Sequence, residues 1–224
     1  MYQNIATKVL TGEVRLSYAN LVTPRVSMQG GEPKYSVTLL IPKTDAATVA
    51  DINASMKAAY DEGVAKKWGG AHPQPKALLH DGDGLRQSGL PFGEECRGHW
   101  VITASSKNPP QVVGMDNISC ELSPSDIYSG MYARVTVNFF AYDTAGSKGV
   151  GCGLGNVLKT RDGEPLGGGA SAASDFDGIG QSFTAPAAAP VYGTGSPAAP
   201  VYGTGSPAAT SGRPPVNPIT GVPW

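Results

Sequence analysis

An alternation of apolar and polar side chains runs through residues 131–142 and constrains the fold more than any other feature of the sequence. The apolar side chains that share one parity are Met131, Ala133, Val135, Val137, Phe139 and Ala141. Successive side chains of a β-strand point to opposite faces of the sheet, so this spacing predicts a long strand with one face in the core. A helix would spread the same residues around its circumference. The chain is therefore expected to build a sheet around this strand.

Other segments show the same period of two. In residues 9–18 the core-facing side chains are expected to be Leu10, Val14, Leu16 and Tyr18. In residues 34–41 they are expected to be Tyr35, Val37, Leu39 and Ile41. Residues 21–28 form a shorter β-like run, in which Pro24 must lie at an edge or a bulge because it cannot donate to a ladder. Residues 99–107, and more weakly 111–118, predict further strands.

The segment after Pro42 changes to helical spacing. Thr44 or Asp45 can cap a helix whose apolar side chains recur at intervals of three and four: Val49, Ile52, Met56 and Tyr60. Gly63 weakens the end of this helix, and Gly69-Gly70 stops it. Residues 71–98 have little periodicity and are expected to form a long surface loop.

Residues 149–159 predict a last strand with one bare face. Glycine occupies one parity at positions 149, 151, 153 and 155, which lets a backbone or a flat ligand approach closely. Three strands, a helix and two or more further strands fit an all-β fold with one helix. The expected form is a five-stranded Greek-key barrel of the OB type, with the helix between the third and fourth strands. A β-sandwich is the alternative.

Composition divides the chain into two parts. Many of its 30 Gly and 19 Pro fall after about residue 167, where residues 189–198 (APVYGTGSPA) repeat identically as 199–208. Such a tract buries too little apolar surface to offset the entropy of ordering it. We therefore expect an OB-like domain over residues 1–166 and a disordered Gly/Ala/Pro-rich tail over 167–224.

The formal net charge of −1 is unevenly distributed. Residues 1–161 are weakly basic, whereas all the charged side chains of residues 162–180 are acidic. Phosphate binding would therefore depend on local groups of cations. The three cysteines, Cys96, Cys120 and Cys152, have neither disulfide nor zinc-knuckle spacing and are expected to be reduced thiols. No stretch approaches the ~20 apolar residues of a membrane span, which predicts a cytoplasmic protein with no membrane partner.

The outward parity of residues 131–142 is the strongest functional signal. Tyr132, Arg134, Phe140 and Tyr142 combine rings that can stack on bases with a cation that can meet phosphates. The alternative is a strand buried on both faces, which also shows aromatics on both parities. Arg15 and Lys34 share the non-core parity of their strands, and Trp100 lies near Arg97, so these three side chains are further candidates for DNA contacts.

Patterns typical of enzymes and metal sites are incomplete. Asp81-Gly82-Asp83-Gly84 resembles the start of a calcium loop, but Leu90 and Phe92 stand where acidic ligands are needed, so we expect a turn. The glycine-rich run around Cys152 is followed by neither Gly-Lys-Ser/Thr nor a helix pattern, which argues against a phosphate loop. Catalytic residues, metals and cofactors are therefore not expected.

Short blocks spread over residues 8–178 resemble a known phage family. They are LTGEVRLSY (10–18), EPKYSV (32–37), LIPK (40–43), DGD (81–83), YSG (128–130), FFAY (139–142), KGV (148–150), GNV (155–157) and DGEPLG (162–167). In this order they are similar to the phage single-stranded-DNA-binding family first catalogued as a domain of unknown function. The resemblance implies an OB-type fold and sequence-independent binding of single strands in phage replication and recombination, in the host cytoplasm.

The resemblance also implies further partners. Replication proteins of the phage or host are candidates, and a homodimer is a candidate assembly. Many single-strand binders end in an acidic tail with a terminal aromatic, but here Asp175-Phe176-Asp177 is brief and the stretch ending in Trp224 has no acid. Recruitment through the tail is therefore not expected. The main alternative function is a virion or scaffold protein, and a metal-dependent nuclease is a more distant one.

Overall fold

A computed structural model describes residues 2–26, 30–86, 88–144 and 147–167. Within these ranges the strands and the α-helix are β1 (Lys8–Leu10), β2 (Val14–Arg25), β3 (Lys34–Pro42), α1 (Ala46–Lys66), β4 (His80–Asp81), β5 (His99–Ser106), β6 (Val112–Gly114), β7 (Tyr132–Thr144) and β8 (Ser147–Arg161). Residues 168–224, with both copies of the repeat, lie outside the described residues. The tail and its boundary at residue 167 therefore stay predictions.

Five of the described strands pair in a ring, in the order β2, β3, β5, β8, β7 and back to β2. The pairs are antiparallel except β5 with β8, which run parallel and meet at Ser105 and Gly153. A ring of five strands that is closed at one place by a single paired position, between β5 and β8, is the partly open barrel of the OB type. The all-β class with one helix and the barrel are thus confirmed over the β-sandwich.

The position of the helix in the barrel differs from the prediction. Three strands precede α1, but only β2 and β3 belong to the ring, so α1 follows the second barrel strand and not the third. The reason is that residues 14–25 form one strand, whereas the sequence pattern breaks near Tyr18. Irregularities in the pairing of β2 with β3 absorb the break, and Pro24 lies within the second of them, as expected for a residue that cannot donate to a ladder.

The predicted core faces are confirmed for β7 and β3. All six apolar side chains of the first parity in residues 131–142 are buried, and so are Val37, Leu39 and Ile41. The prediction for residues 9–18 is only half right. Val14 and Leu16 are buried, but Val9 is buried in place of Leu10 because the chain bends between β1 and β2, and Tyr18 is 63% exposed. Both errors come from local breaks in the strand period, which reverse the faces of the side chains.

Helix α1 packs on the barrel through small side chains. Asp45 caps it by accepting a hydrogen bond from the Thr48 backbone N–H at 3.0 Å. Its buried residues are Thr48, Ile52, Ser55, Ala59 and Gly63. Val49, Met56 and Tyr60 of the predicted apolar stripe are only half-buried. A Cβ at Gly63 would stand 2.6 Å from Trp68 and 2.7 Å from Ala141, so glycine permits this close approach.

The long segment between α1 and β5 covers part of the outer barrel surface. It contains β4 and a short 3₁₀ turn, Glu94–Cys96, and Lys43 fastens it by ion pairs to Asp81 at 2.5 Å and Asp83 at 2.7 Å. The outward side chains Leu40 and Val101 form a second apolar cluster with Cys96, Phe92 and Leu166. One half of the outer face of β3 and β5 is therefore closed.

The three cysteines are free thiols, as expected. Burial raises the pKa of the Cys152 thiol to about 12, so this side chain behaves as a core residue. Among the described residues, no helix has the length and apolar character that crossing a membrane requires.

The packing at Gly63 makes a testable prediction. Gly63→Ala should lower the free energy of unfolding by about 1–3 kcal/mol, because overpacking against Trp68 and Ala141 outweighs the gain in helix propensity. Urea denaturation measures the change. The matched control is Ala54→Gly on the exposed face of α1, which should cost about 1 kcal/mol from propensity alone. A Gly63→Ala variant more stable than the parent would contradict the packing argument.

Candidate nucleic-acid interface

The open half of the outer barrel face holds a cleft of about 770 Å³. Strands β3, β5, β7 and β8 contribute to its wall, together with the residues next to their ends. The lysines Lys34 and Lys107 and the aromatic residues Phe140 and Tyr142 are among its lining side chains. The cleft thus brings together cations and flat rings, the two groups with which proteins hold single-stranded nucleic acid.

The glycines of β8 explain how the rings are seated. In the β7–β8 ladder, Phe140 is opposite Gly151 and Tyr142 is opposite Gly149. A Cβ on Gly151 would come within 2.7 Å of the Phe140 ring, and one on Gly149 would come within 2.8 Å of the Tyr142 hydroxyl. The rings therefore lie over bare backbone on the outside of the barrel. Phe140 remains 45% exposed, so part of its ring is free to contact a ligand.

Small polar side chains form the surface beside the rings. Ser36 of β3 is in register with Ser105 of β5, and Ser105 is in turn beside Gly153 of β8. Two residues further along β3, on the same face of the sheet, Thr38 is in register with Thr103, and their hydroxyls share a hydrogen bond of 3.0 Å. These short side chains keep the surface shallow. The sequence alone does not single out Ser105 or Lys107, because the closure of the barrel decides which strands lie beside β5.

An ion pair limits the positive charge of the cleft. Lys107 pairs with the carboxylate of Glu32, which also lines the cleft. The hydrogen bond from Lys107, followed by its charge, holds the pKa of Glu32 below its usual value, so this carboxylate is ionised at neutral pH. A phosphate approaching Lys107 would compete with Glu32 for it.

Arg15 and Tyr132 lie at the other end of β7 and form a structural cluster. The Tyr132 ring centroid is 3.4 Å from the guanidinium carbon of Arg161 and 5.8 Å from that of Arg15. Arg15 donates hydrogen bonds to the carbonyl oxygens of Gly130 at 3.3 Å and Glu164 at 2.7 Å. These contacts hold residues 162–166 against the barrel.

The other two candidates are also separate from the cleft. Arg134 is exposed near the start of β7, where its Nε donates to the Thr11 carbonyl oxygen at 3.1 Å. Trp100 lines an apolar groove of about 690 Å³ with α1 side chains such as Met56 and Tyr60. Of the seven candidates, the structure brings together Lys34, Phe140 and Tyr142.

Residues 7–185 match the family described as "Enterobacter phage Enc34, ssDNA-binding protein". The chain belongs to this Enc34 family. The match spans the blocks in residues 8–178 that carried the resemblance, so the family inferred from the sequence is confirmed. Among the described residues, no three His, Cys, Asp or Glu side chains come together in a group that could hold a metal ion.

Other phage proteins match most of the chain. A protein of Acyrthosiphon pisum secondary endosymbiont phage 1, "Putative protein p50", is 29% identical over 183 residues, which is 77% of this chain and 94% of that protein. The single-stranded DNA-binding protein of bacteriophage Enc34 in complex with ssDNA superposes with a TM-score of 0.62 at 30% identity, covering 72% of this chain and 90% of that one. Another structure of the Enc34 protein gives a TM-score of 0.59 at 29% identity, covering 76% and 89%.

The cluster around Tyr132 predicts a loss of stability without a loss of binding. Tyr132→Ala should lower the free energy of unfolding by about 1–3 kcal/mol, because the guanidinium groups of Arg15 and Arg161 both lose their contact with the ring. Tyr132→Phe keeps the ring and serves as the matched control. Urea denaturation and oligothymidine affinity should be measured on both variants. Weaker binding by a Tyr132→Ala protein of unchanged stability would show that this ring contacts DNA.

Proposed function

We propose that the chain binds single-stranded DNA without sequence preference, through bases stacked on Phe140 and Tyr142 and phosphates met by Lys34 and Lys107. The observation that carries the proposal is the pair of rings lying over the bare glycines of β8, beside these lysines and next to a shallow polar surface. The membership of the Enc34 family supports it, since the solved Enc34 complex contains ssDNA. The proposed role is to coat and protect single strands in phage replication and recombination, and not to catalyse a reaction.

The geometry favours single strands over duplex. A ring that lies along the surface can stack only on a base whose face is free, and the bases of a duplex are already stacked on one another. Stacking tolerates every base because each has a π-face, which accounts for binding without sequence preference. Oligothymidine should therefore bind more tightly than a duplex of equal length, in a fluorescence anisotropy titration at low salt.

The proposed function belongs to the first of the two parts into which composition divides the chain. Residues 1–166 form the DNA-binding domain, which is supported by the barrel ending at Arg161 and by the contacts that hold residues 162–166 against it. We propose that residues 167–224 form a disordered tail, because their Gly/Ala/Pro-rich composition offers little apolar surface to bury. Host cytoplasm is the proposed location, and replication proteins or a second copy of the chain are proposed further partners.

The two rings make the most direct prediction. Phe140→Ala and Tyr142→Ala should each weaken oligothymidine binding by roughly 5- to 150-fold, since stacking on one base is worth about 1–3 kcal/mol. Their melting temperatures should change little, because the rings lie on the outside of the barrel. Ile118→Ala removes another exposed apolar side chain and serves as the control. Variants that unfold easily but bind normally when folded would contradict the stacking role.

The ion pair in the cleft predicts opposite effects for its two members. Lys107→Gln should weaken binding and flatten the slope of log K against log salt by about 0.7, the value for one phosphate contact on a single strand. Glu32→Gln should tighten binding, because it frees Lys107 and removes a negative charge that repels phosphate. Titrations between 50 and 200 mM salt, roughly the range over which phosphate contacts weaken, test both variants. A change of the same sign in both would refute the competition.

A further inference from the structure

Tyr18 combines an unusual backbone with an exposed ring. Its φ angle is +48°, in the left-handed region that aromatic residues rarely adopt, and its side chain is 63% exposed. A strained backbone persists only where the surroundings enforce it, and such positions concentrate at binding sites. An exposed aromatic ring at such a position is therefore a candidate for contact with a ligand.

The surroundings of Tyr18 do enforce its conformation. The register of β2 against β3 shifts between Ser17 and Asn20, so Tyr18 lies within a bulge. The Ala19 backbone N–H donates to the Ser129 hydroxyl at 2.9 Å on one side. On the other, the Asn20 amide donates to the Tyr18 carbonyl oxygen at 3.1 Å and to the Ser36 hydroxyl at 3.3 Å. The bulge turns outward a ring that the strand period would have placed in the core.

A second cleft of about 420 Å³ opens at this bulge. Tyr18, Asn20 and Arg25 of β2 line it, and Glu95 and Leu166 stand at its border with the closed half of the barrel face. The cleft therefore repeats the combination of an exposed ring and a cation found in the first cleft. Arg adds a planar guanidinium that suits both phosphate and a base face.

The register of the sheet connects the two clefts. Arg25 of β2 is beside Lys34 of β3, and Asn20 is beside Ser36. Ser36 is beside Ser105 of β5, and Ser105 is beside Gly153 of β8. A Cβ on Gly153 would stand 3.5 Å from the Phe140 ring, so this row of residues reaches the first cleft. Neighbouring strands are about 4.8 Å apart, so the four steps from β2 through β3, β5 and β8 to β7 cover about 19 Å along the curved outer surface of the barrel. We call the row from Arg25 and Asn20 through Ser36, Ser105 and Gly153 to Phe140 the exposed strip. Its length suits a bound DNA segment within the roughly 4–16 nucleotides that one OB-fold domain covers.

We propose that Tyr18 and Arg25 form a second position for stacking a base and binding a phosphate. The bound strand crosses β3 and β5 at right angles, from the Phe140–Tyr142 cleft to the bulge of β2. The covered half of the barrel face, under Phe92 and Leu166, confines the strand to this strip. The inference rests on the proposed function, because it extends the same DNA path.

One test uses Tyr18→Asn in the full-length chain. Asn tolerates the left-handed backbone, so the melting temperature should stay equal or rise while the ring is removed. Binding of a 12-nucleotide oligothymidine should weaken by roughly 5- to 150-fold, as expected for the loss of one stacked base. The control is Val22→Ala, which shortens another exposed side chain of β2 and should leave the affinity unchanged.

A second test locates the DNA directly. Oligothymidines with 5-iododeoxyuridine at one end or the other are irradiated with the full-length protein, and the cross-linked peptides are identified by mass spectrometry. One end should cross-link to Tyr18 and the other to Phe140 or Tyr142. Cross-links from both ends to Phe140 or Tyr142 alone, with normal affinity of Tyr18→Asn, would overturn the second position and leave the proposed function intact. No cross-link at either place, with normal binding by Tyr142→Ala, would overturn the stacking role of Phe140 and Tyr142, and loss of all oligothymidine binding by the parent protein would overturn the proposed function itself.

Discussion

The antiparallel pairing of β7 with β8 is the interaction on which the rest of this molecule depends. On its inner face, Val135, Val137 and Phe139 supply much of the barrel core, and Val157 of β8 meets them there. On its outer face, the same ladder sets Phe140 and Tyr142 over glycines. Core and cleft are therefore two sides of one ladder. A shift of the β7–β8 register by one residue would turn the apolar side chains of one strand outward, and the rings of Phe140 and Tyr142 would no longer lie opposite glycines.

Closure of the ring and the covering loop decide where a ligand can lie. The parallel contact between β5 and β8 brings the polar surface of β3 and β5 next to the rings. The segment fastened by Lys43, together with Leu166, covers the remaining half of that surface. The exposed strip is shallow and contains small side chains, which suits a flexible chain of nucleotides. A deep pocket would suit a compact ligand instead.

The exposed strip carries little net positive charge. Glu32 neutralises part of the charge of Lys107, and the part of the chain that contains the barrel has only a small basic excess. In the proposed function, stacking on the rings therefore supplies much of the affinity for DNA, and the lysines add its dependence on salt. At the far end of β7, the guanidinium groups of Arg15 and Arg161 lie near the Tyr132 ring, outside the cleft that holds Phe140 and Tyr142.

The sequence by itself determined the strand class, the buried parity of β3 and β7, the helix with its Asp45 cap, and the family, because these depend on local periodicity and on motifs read in order. It also selected Phe140 and Tyr142 from their shared parity. Only the tertiary structure decided that α1 follows the second barrel strand, that Arg15 and Tyr132 bind other parts of the chain, and that Tyr18 faces outward. These outcomes depend on which strands become neighbours and where bulges form. Pairing partners and bulges are set by contacts between distant residues, which local alternation does not encode.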